Sequence, residues 1–178
     1  NITASGGSNT AGGTGAAGGL IQLYTGTSGN TIIGTNPLIA AGSGTAADGQ
    51  LKIISQGGVV LTNTTNNVGT LAANVTGFFQ NEDTNALTVG NITANGSLSG
   101  ANLGTVTGLT ATGTIGNLSA NGSLTVAENV SGGANVFLYL NGDNGLLTIN
   151  SGKAVTTSGE FVSLTADRMS LAGNVSAG

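Results

Sequence analysis

Apolar and polar side chains alternate in short runs of two to six residues along most of this chain, and Gly, Gly-Gly or Asn-Gly cut the runs at intervals. Period-two alternation bounded by such residues predicts β-strands joined at corners. In Gln50-Leu51-Lys52-Ile53-Ile54 the pattern turns Leu51 and Ile53 inward and Lys52 outward, where an exposed pair with Asp48 would be worth little. In Val136-Phe137-Leu138-Tyr139-Leu140 it turns Val136, Leu138 and Leu140 inward and leaves Phe137 and Tyr139 side by side outside. Val162, Leu164 and Ala166 are in phase, and the phase slips at Asp167-Arg168 as at a corner. Phe78 to Asn85 is the stretch that fits the rhythm least, and it is the densest in acids. Nowhere does a 3.6-residue apolar period persist for eleven residues, so the class is all-β.

Two segments resemble each other. Gly90-Asn91-Ile92-Thr93-Ala94-Asn95-Gly96-Ser97-Leu98-Ser99 and Gly116-Asn117-Leu118-Ser119-Ala120-Asn121-Gly122-Ser123-Leu124-Thr125 lie 26 residues apart (116 − 90) and agree at seven of ten positions. Self-similarity at this period marks a repeat architecture. Short strands, small aliphatic interiors and few aromatics favour a parallel β-helix (a β-solenoid) over a sandwich. A period of 20–26 residues would give about seven to nine coils, a rod roughly 34–43 Å tall at ~4.8 Å per coil. Residues 1–19 carry almost no large apolar side chain and read as a Gly/Ser/Thr-rich lead-in or cap; residues 20–178 read as the repeat domain. The chain opens without Met and stops within the same pattern, as a piece of a longer protein would.

The segments Asn67–Gly77, Asn85–Gly90 and Val162–Val175 resemble repeat units of filamentous-haemagglutinin-type proteins, which are bacterial exoproteins and adhesins whose shafts are right-handed β-helices, and the resemblance implies a right-handed parallel β-helix here. The resemblance extends loosely over residues 50–178, and its motifs are structural. It implies export and display on, or release from, the cell surface. The implied work is that of a shaft or filament segment, mechanical and adhesive, which self-associates or continues into further coils. Host or matrix glycans are its implied external partners. A carbohydrate- or surface-binding solenoid module is the alternative function, and a trimeric phage tail-fibre solenoid a third.

Composition narrows the chemistry. Charged residues make up 6% of the chain, against about 25% in ordinary soluble domains. Three basic residues, Lys52, Lys153 and Arg168, cannot track a phosphate backbone, so no nucleic-acid partner is expected. No run reaches the ~18 apolar residues of a membrane helix, and no membrane insertion is expected. Without His or Cys the usual nucleophile–base pairs and soft-metal sites are missing. No catalytic residue, cofactor or resident metal is expected, and the chain is not read as an enzyme.

For a hard cation the candidates are Glu82, Asp83 and Asp143, although Asp and Asn are also plain turn formers. The candidate contact surface is aromatic: Phe78, Phe79, Phe137 and Tyr139. Nine Asn-x-Ser/Thr sequons occur, with Asn74, Asn91, Asn117 and Asn129 among them; a chain this rich in Asn, Ser and Thr produces such triplets without selection.

Overall fold

The structure is a computed structural model that describes residues 2–4, 15–26, 29–43, 46–93 and 104–178. Among these residues there is no helix. The strands fall into seven tiers. The first holds β1 (Ile2–Thr3), β2 (Leu20–Thr25) and β3 (Ile32–Gly34); the second holds β4 (Leu38–Ile39), β5 (Gln50–Ser55) and β6 (Val59–Leu61). The third holds β7 (Thr70–Val75) and β8 (Phe79–Asp83). The fourth runs from β9 (Leu87–Val89) through β10 (Asn91–Ile92) and β11 (Val106–Thr107) to β12 (Leu109–Ala111) and β13 (Ile115–Ala120). Above them lie β14 (Leu124–Val126), β15 (Val130–Gly132) and β16 (Val136–Leu140). The sixth tier is β17 (Leu146–Ile149), β18 (Ala154–Thr157) and β19 (Val162–Thr165), and the seventh is β20 (Arg168–Leu171) and β21 (Asn174–Ala177).

Apart from β10 and β11, each strand pairs in parallel with a strand of a neighbouring tier. An eleven-stranded sheet starts as β2, β5 and β7, then divides into one limb of β9, β14, β17 and β20 and a second of β12, β15, β18 and β21. A six-stranded sheet stacks β3, β6, β8, β13, β16 and β19. Among the described strands, β10 and β11 form the one antiparallel pair.

The register explains the core. Because side chains alternate along each strand, parallel in-register pairing turns inward positions into continuous columns. One column reads Ile21, Leu51, Leu71, Val89, Val126, Ile149, Leu171. Another reads Leu23, Ile53, Ala73, Leu109, Val130, Val155, Val175. In the six-stranded sheet Ile32, Val59, Phe79, Ile115, Val136 and Val162 stack likewise. From the second tier to the sixth these positions are buried in one continuous apolar cluster, apart from Val162 at its margin. Each buried aliphatic side chain contributes about 1.5–3 kcal/mol relative to an exposed one. The final tier differs: Met169, Leu171 and Val175 extend the inward columns but stay 43%, 47% and 42% exposed.

The corners bring backbone against backbone. A Cβ on Gly133 would lie 1.9 Å from the Thr112 carbonyl oxygen, and one on Gly142 1.9 Å from that of Asn121. No side chain fits there, so glycine recurs where one tier's corner rests on the last.

Several expectations change. Phe79–Asp83 is a regular strand, in register with Val59–Leu61 on one side and Ile115–Ala120 on the other; its alternation is obscured because Asn81 and Asp83 occupy inward positions. The two sequence-similar segments are not register partners. Gly116–Thr125 spans β13, a corner and the start of β14, whereas Asn91 and Ile92 enter a hairpin and pair antiparallel with Thr107 and Val106; positions 94–99 lie outside the described residues. Within the segment read as a lead-in, Ile2 and Thr3 already pair with Leu38 and Ile39, and residues 5–14 lie outside the described ones.

The hairpin also revises Lys52. Ile92 and Val106 fold down onto Ala72, beside Leu20 and Ile54, over the outer side of β5 and β7. Lys52 does point outward, but the hairpin covers it: it is 1% exposed, and its ammonium donates to the Gly104 carbonyl. Burial lowers its pKa. Asp48 is not its partner. The Asp48 carboxylate accepts the Gly42 N–H at 2.9 Å and the Asn85 amide at 3.2 Å.

Candidate binding surface

The outer side of the six-stranded sheet carries Glu82, Phe137 and Tyr139 among the candidate residues. On β8, β13 and β16 the register aligns Glu82 with Ser119 and Ser119 with Tyr139. These residues face outward, while Asn81, Leu118 and Leu138 face in on the neighbouring column. Each strand ends in a corner, and the corners add Asn121 after β13 and Asn141 after β16. Together Thr64, Glu82, Asp83, Ser119, Asn121 and Asn141 line a cavity of about 230 Å³. No basic residue lines it.

The two adjacent acids diverge. Glu82 is half-buried on the outer side, and its Oε1 accepts a 3.3 Å bond from the Gln80 amide. Asp83 is 4% exposed. Its Oδ2 accepts the Val68 N–H and its Oδ1 the Asn85 N–H, each at 3.0 Å. Asn85 passes the network on, donating to Asp48 and to the Asn67 Oδ1 at 3.0 Å. Burial pushes the Asp83 pKa up to about 7, against the two N–H bonds that favour its anion and with the Asp48 charge adding to the rise. Asp83 is therefore a corner-holding acid whose charge changes near neutrality.

Asp143 sits in the exposed turn beyond Asn141 and does not line the cavity. Among the described residues no three His, Cys, Asp or Glu side chains come together in a metal-ligating group.

The aromatic candidates separate. Phe79 is fully buried in the apolar cluster and is no contact surface; its column position between Val59 and Ile115 requires that. Phe78 is 39% exposed and its ring lies over Gly116, where a Cβ would come within 2.3 Å of it. The bulge between Ile115 and Leu118 falls at this position. Phe137 packs edge-to-face on Phe161, with centroids 5.2 Å apart, and Tyr139 is 42% exposed. Of the sequon residues, Asn74, Asn91 and Asn129 are exposed and Asn117 is half-buried.

Sequence reasoning did not single out Thr64, Ser119, Asn141 or Phe161, and it reached Asn121 only as one of the nine sequon residues. Thr64, Asn141 and the pair Ser119 and Asn121 come from three separate tiers and meet only through the register, and nothing local distinguishes them from other Ser, Thr and Asn residues. Phe161 was discernible as an aromatic flanking the final alternating run.

No family model, no curated protein and no solved structure matches this chain.

Proposed function

We propose that the seven tiers are successive turns of a right-handed parallel β-helix and that the chain is a shaft segment of an exported bacterial surface protein. Its work is mechanical: it sets spacing, transmits load and carries adhesive parts. The observation that carries this reading is the pair of seven-deep aliphatic columns, in which most successive members lie about twenty to thirty residues apart. Val130 follows Leu109 by 21 residues (130 − 109) and Val155 by 25 more (155 − 130). One turn of a winding chain per tier accounts for that offset. Low charge fits as well, because like charges stacked at ~4.8 Å would repel.

The seventh tier supports continuation or self-association. Among the described residues, β19, β20 and β21 each pair on one edge, and the exposed Met169, Leu171 and Val175 extend columns that are buried below. A further turn or a second copy would cover both. The sequence resemblance to filamentous-haemagglutinin-type shafts carries the extension to an exported protein.

Electron cryomicroscopy of the purified chain tests the shaft. A rod with a ~4.8 Å axial repeat is expected. A compact two-layer body would overturn the reading, and an obligate trimer in a solution mass measurement would replace it with a trimeric fibre. Antibody labelling of intact producing cells tests export, and a wholly intracellular signal would refute it.

A further inference from the structure

We propose that the cavity beside Tyr139 is a binding site for one uncharged sugar ring of a glycan. The inference is independent of the shaft reading, since a site on the outer face of this sheet exists whether or not the tiers form a rod in solution.

The first observation is an unsatisfied group. Ser119 is 1% exposed and among the described residues its hydroxyl has no hydrogen-bond partner, yet it lines the cavity. Ser55, equally buried, lies 2.9 Å from the Thr25 hydroxyl, donates to the Gly57 carbonyl at 3.0 Å and accepts the Gly57 N–H at 3.2 Å. A buried hydroxyl without a partner is costly, and a ligand hydroxyl entering the cavity would supply one.

The second is the donor set. Asp83 has both oxygens engaged by backbone N–H groups. That leaves the Glu82 carboxylate, the Ser119 and Thr64 hydroxyls, and the Asn121 and Asn141 amides. These groups mix acceptors with donors and include no cation. A polyhydroxylated neutral ring can satisfy them in both senses, whereas Glu82 repels a phosphate, sulfate or carboxylate. A hard cation fits less well, because it takes six to eight oxygens, usually with several carboxylates, and one acid here has its oxygens already bonded.

The third is the apolar flank. Tyr139 stands one register step from Ser119 and is half-exposed, so its ring offers a surface for the C–H face of a sugar beside the polar groups. At about 230 Å³ the cavity falls below the ~300–1,000 Å³ of sites that enclose drug-sized molecules, which suits a single ring.

The chain has no Trp and two Tyr, Tyr24 and Tyr139. In a Tyr24→Phe background, tyrosine fluorescence therefore reports on Tyr139 alone. Titration with cello-, malto-, manno- and galacto-hexaose should give a saturable change with at least one of them, with Kd on the order of 1 mM. Tyr139→Leu and Glu82→Gln, read by calorimetry, should each weaken that binding about tenfold or more, and Ser119→Ala severalfold. Asp143→Asn should leave it unchanged, and circular dichroism melts check that each variant is folded. The proposal fails if none of the four sugars saturates, if binding survives Tyr139→Leu and Glu82→Gln in folded protein, or if calcium alone binds in a Glu82-dependent way.

Discussion

Asp83 makes the stability of this fold depend on pH across neutrality. Its pKa lies near 7 in the folded protein because burial opposes its charge, and near 3.8 in the unfolded chain, where water restores the ordinary value. Between these limits the folded state holds a proton that the unfolded state has released. The contribution of Asp83 to stability is therefore fully present below the unfolded pKa and is lost as pH rises through about 7. A difference of about three pKa units at 1.36 kcal/mol each sets a ceiling of about 4 kcal/mol, a large share of the 5–15 kcal/mol typical of a domain. The chain has no His and no Cys, so apart from the terminal amine the groups that ordinarily titrate in this window are absent. Urea denaturation followed by circular dichroism at half-unit steps from pH 5 to 8.5 should show a falling unfolding free energy. Asp83→Asn should flatten the slope. It should also cost about 1–3 kcal/mol at pH 5, because one amide oxygen must replace two acceptors for the Val68 and Asn85 N–H groups. A wild-type stability that is level or rises over this range, or a slope that persists in Asp83→Asn, would refute the reasoning.

Three further substitutions probe other parts of the fold. Asn81 is fully buried with neither amide atom bonded, in a column between Leu61 and Leu118; Asn81→Leu should stabilise by about 1–3 kcal/mol and raise Tm by a few degrees, and a lower Tm would show that the amide is needed there. Gly142→Val places a side chain against the Asn121 carbonyl and should destabilise by more than about 2 kcal/mol in the same urea assay; a neutral result would show that the corner has room. Lys52→Ala removes the ammonium that holds Gly104, so hydrogen exchange should quicken at Ile92 and Val106 and hold steady at Leu71 and Val89. Uniform protection across all four would mean the lysine is not a clasp.

Where alternation was complete, the chain announced its own faces. Val136–Leu140 reads inward and outward as found, with Leu138 buried and Tyr139 exposed, and the slip at Asp167-Arg168 marks the corner between β19 and β20. Phe79–Asp83 was obscure because its inward positions include Asn81 and Asp83, which look like turn residues until the register sets Asn81 between Leu61 and Leu118 and Asp83 beside Ala120. Lys52 misled for another reason. What covers it lies about forty to fifty-five residues further along the chain, and local periodicity carries no information about that distance. The cavity was invisible for the same cause, since Thr64, Glu82, Ser119 and Asn141 belong to separate tiers. Outward threonines behaved likewise: Thr70, Thr88, Thr125 and Thr148 form one ladder, although the spacing between Thr88 and Thr125 hides it.

The excursion between β9 and β12 leaves the stack and returns without changing the pairing: Leu109 still sits on Ala73 and Ile115 on Phe79. Lengthening a connection raises its closure cost only logarithmically, so added residues at this junction cost the fold little. Added length there leaves the ladders on either side with their partners, whereas removing the hairpin uncovers Ala72 and Lys52.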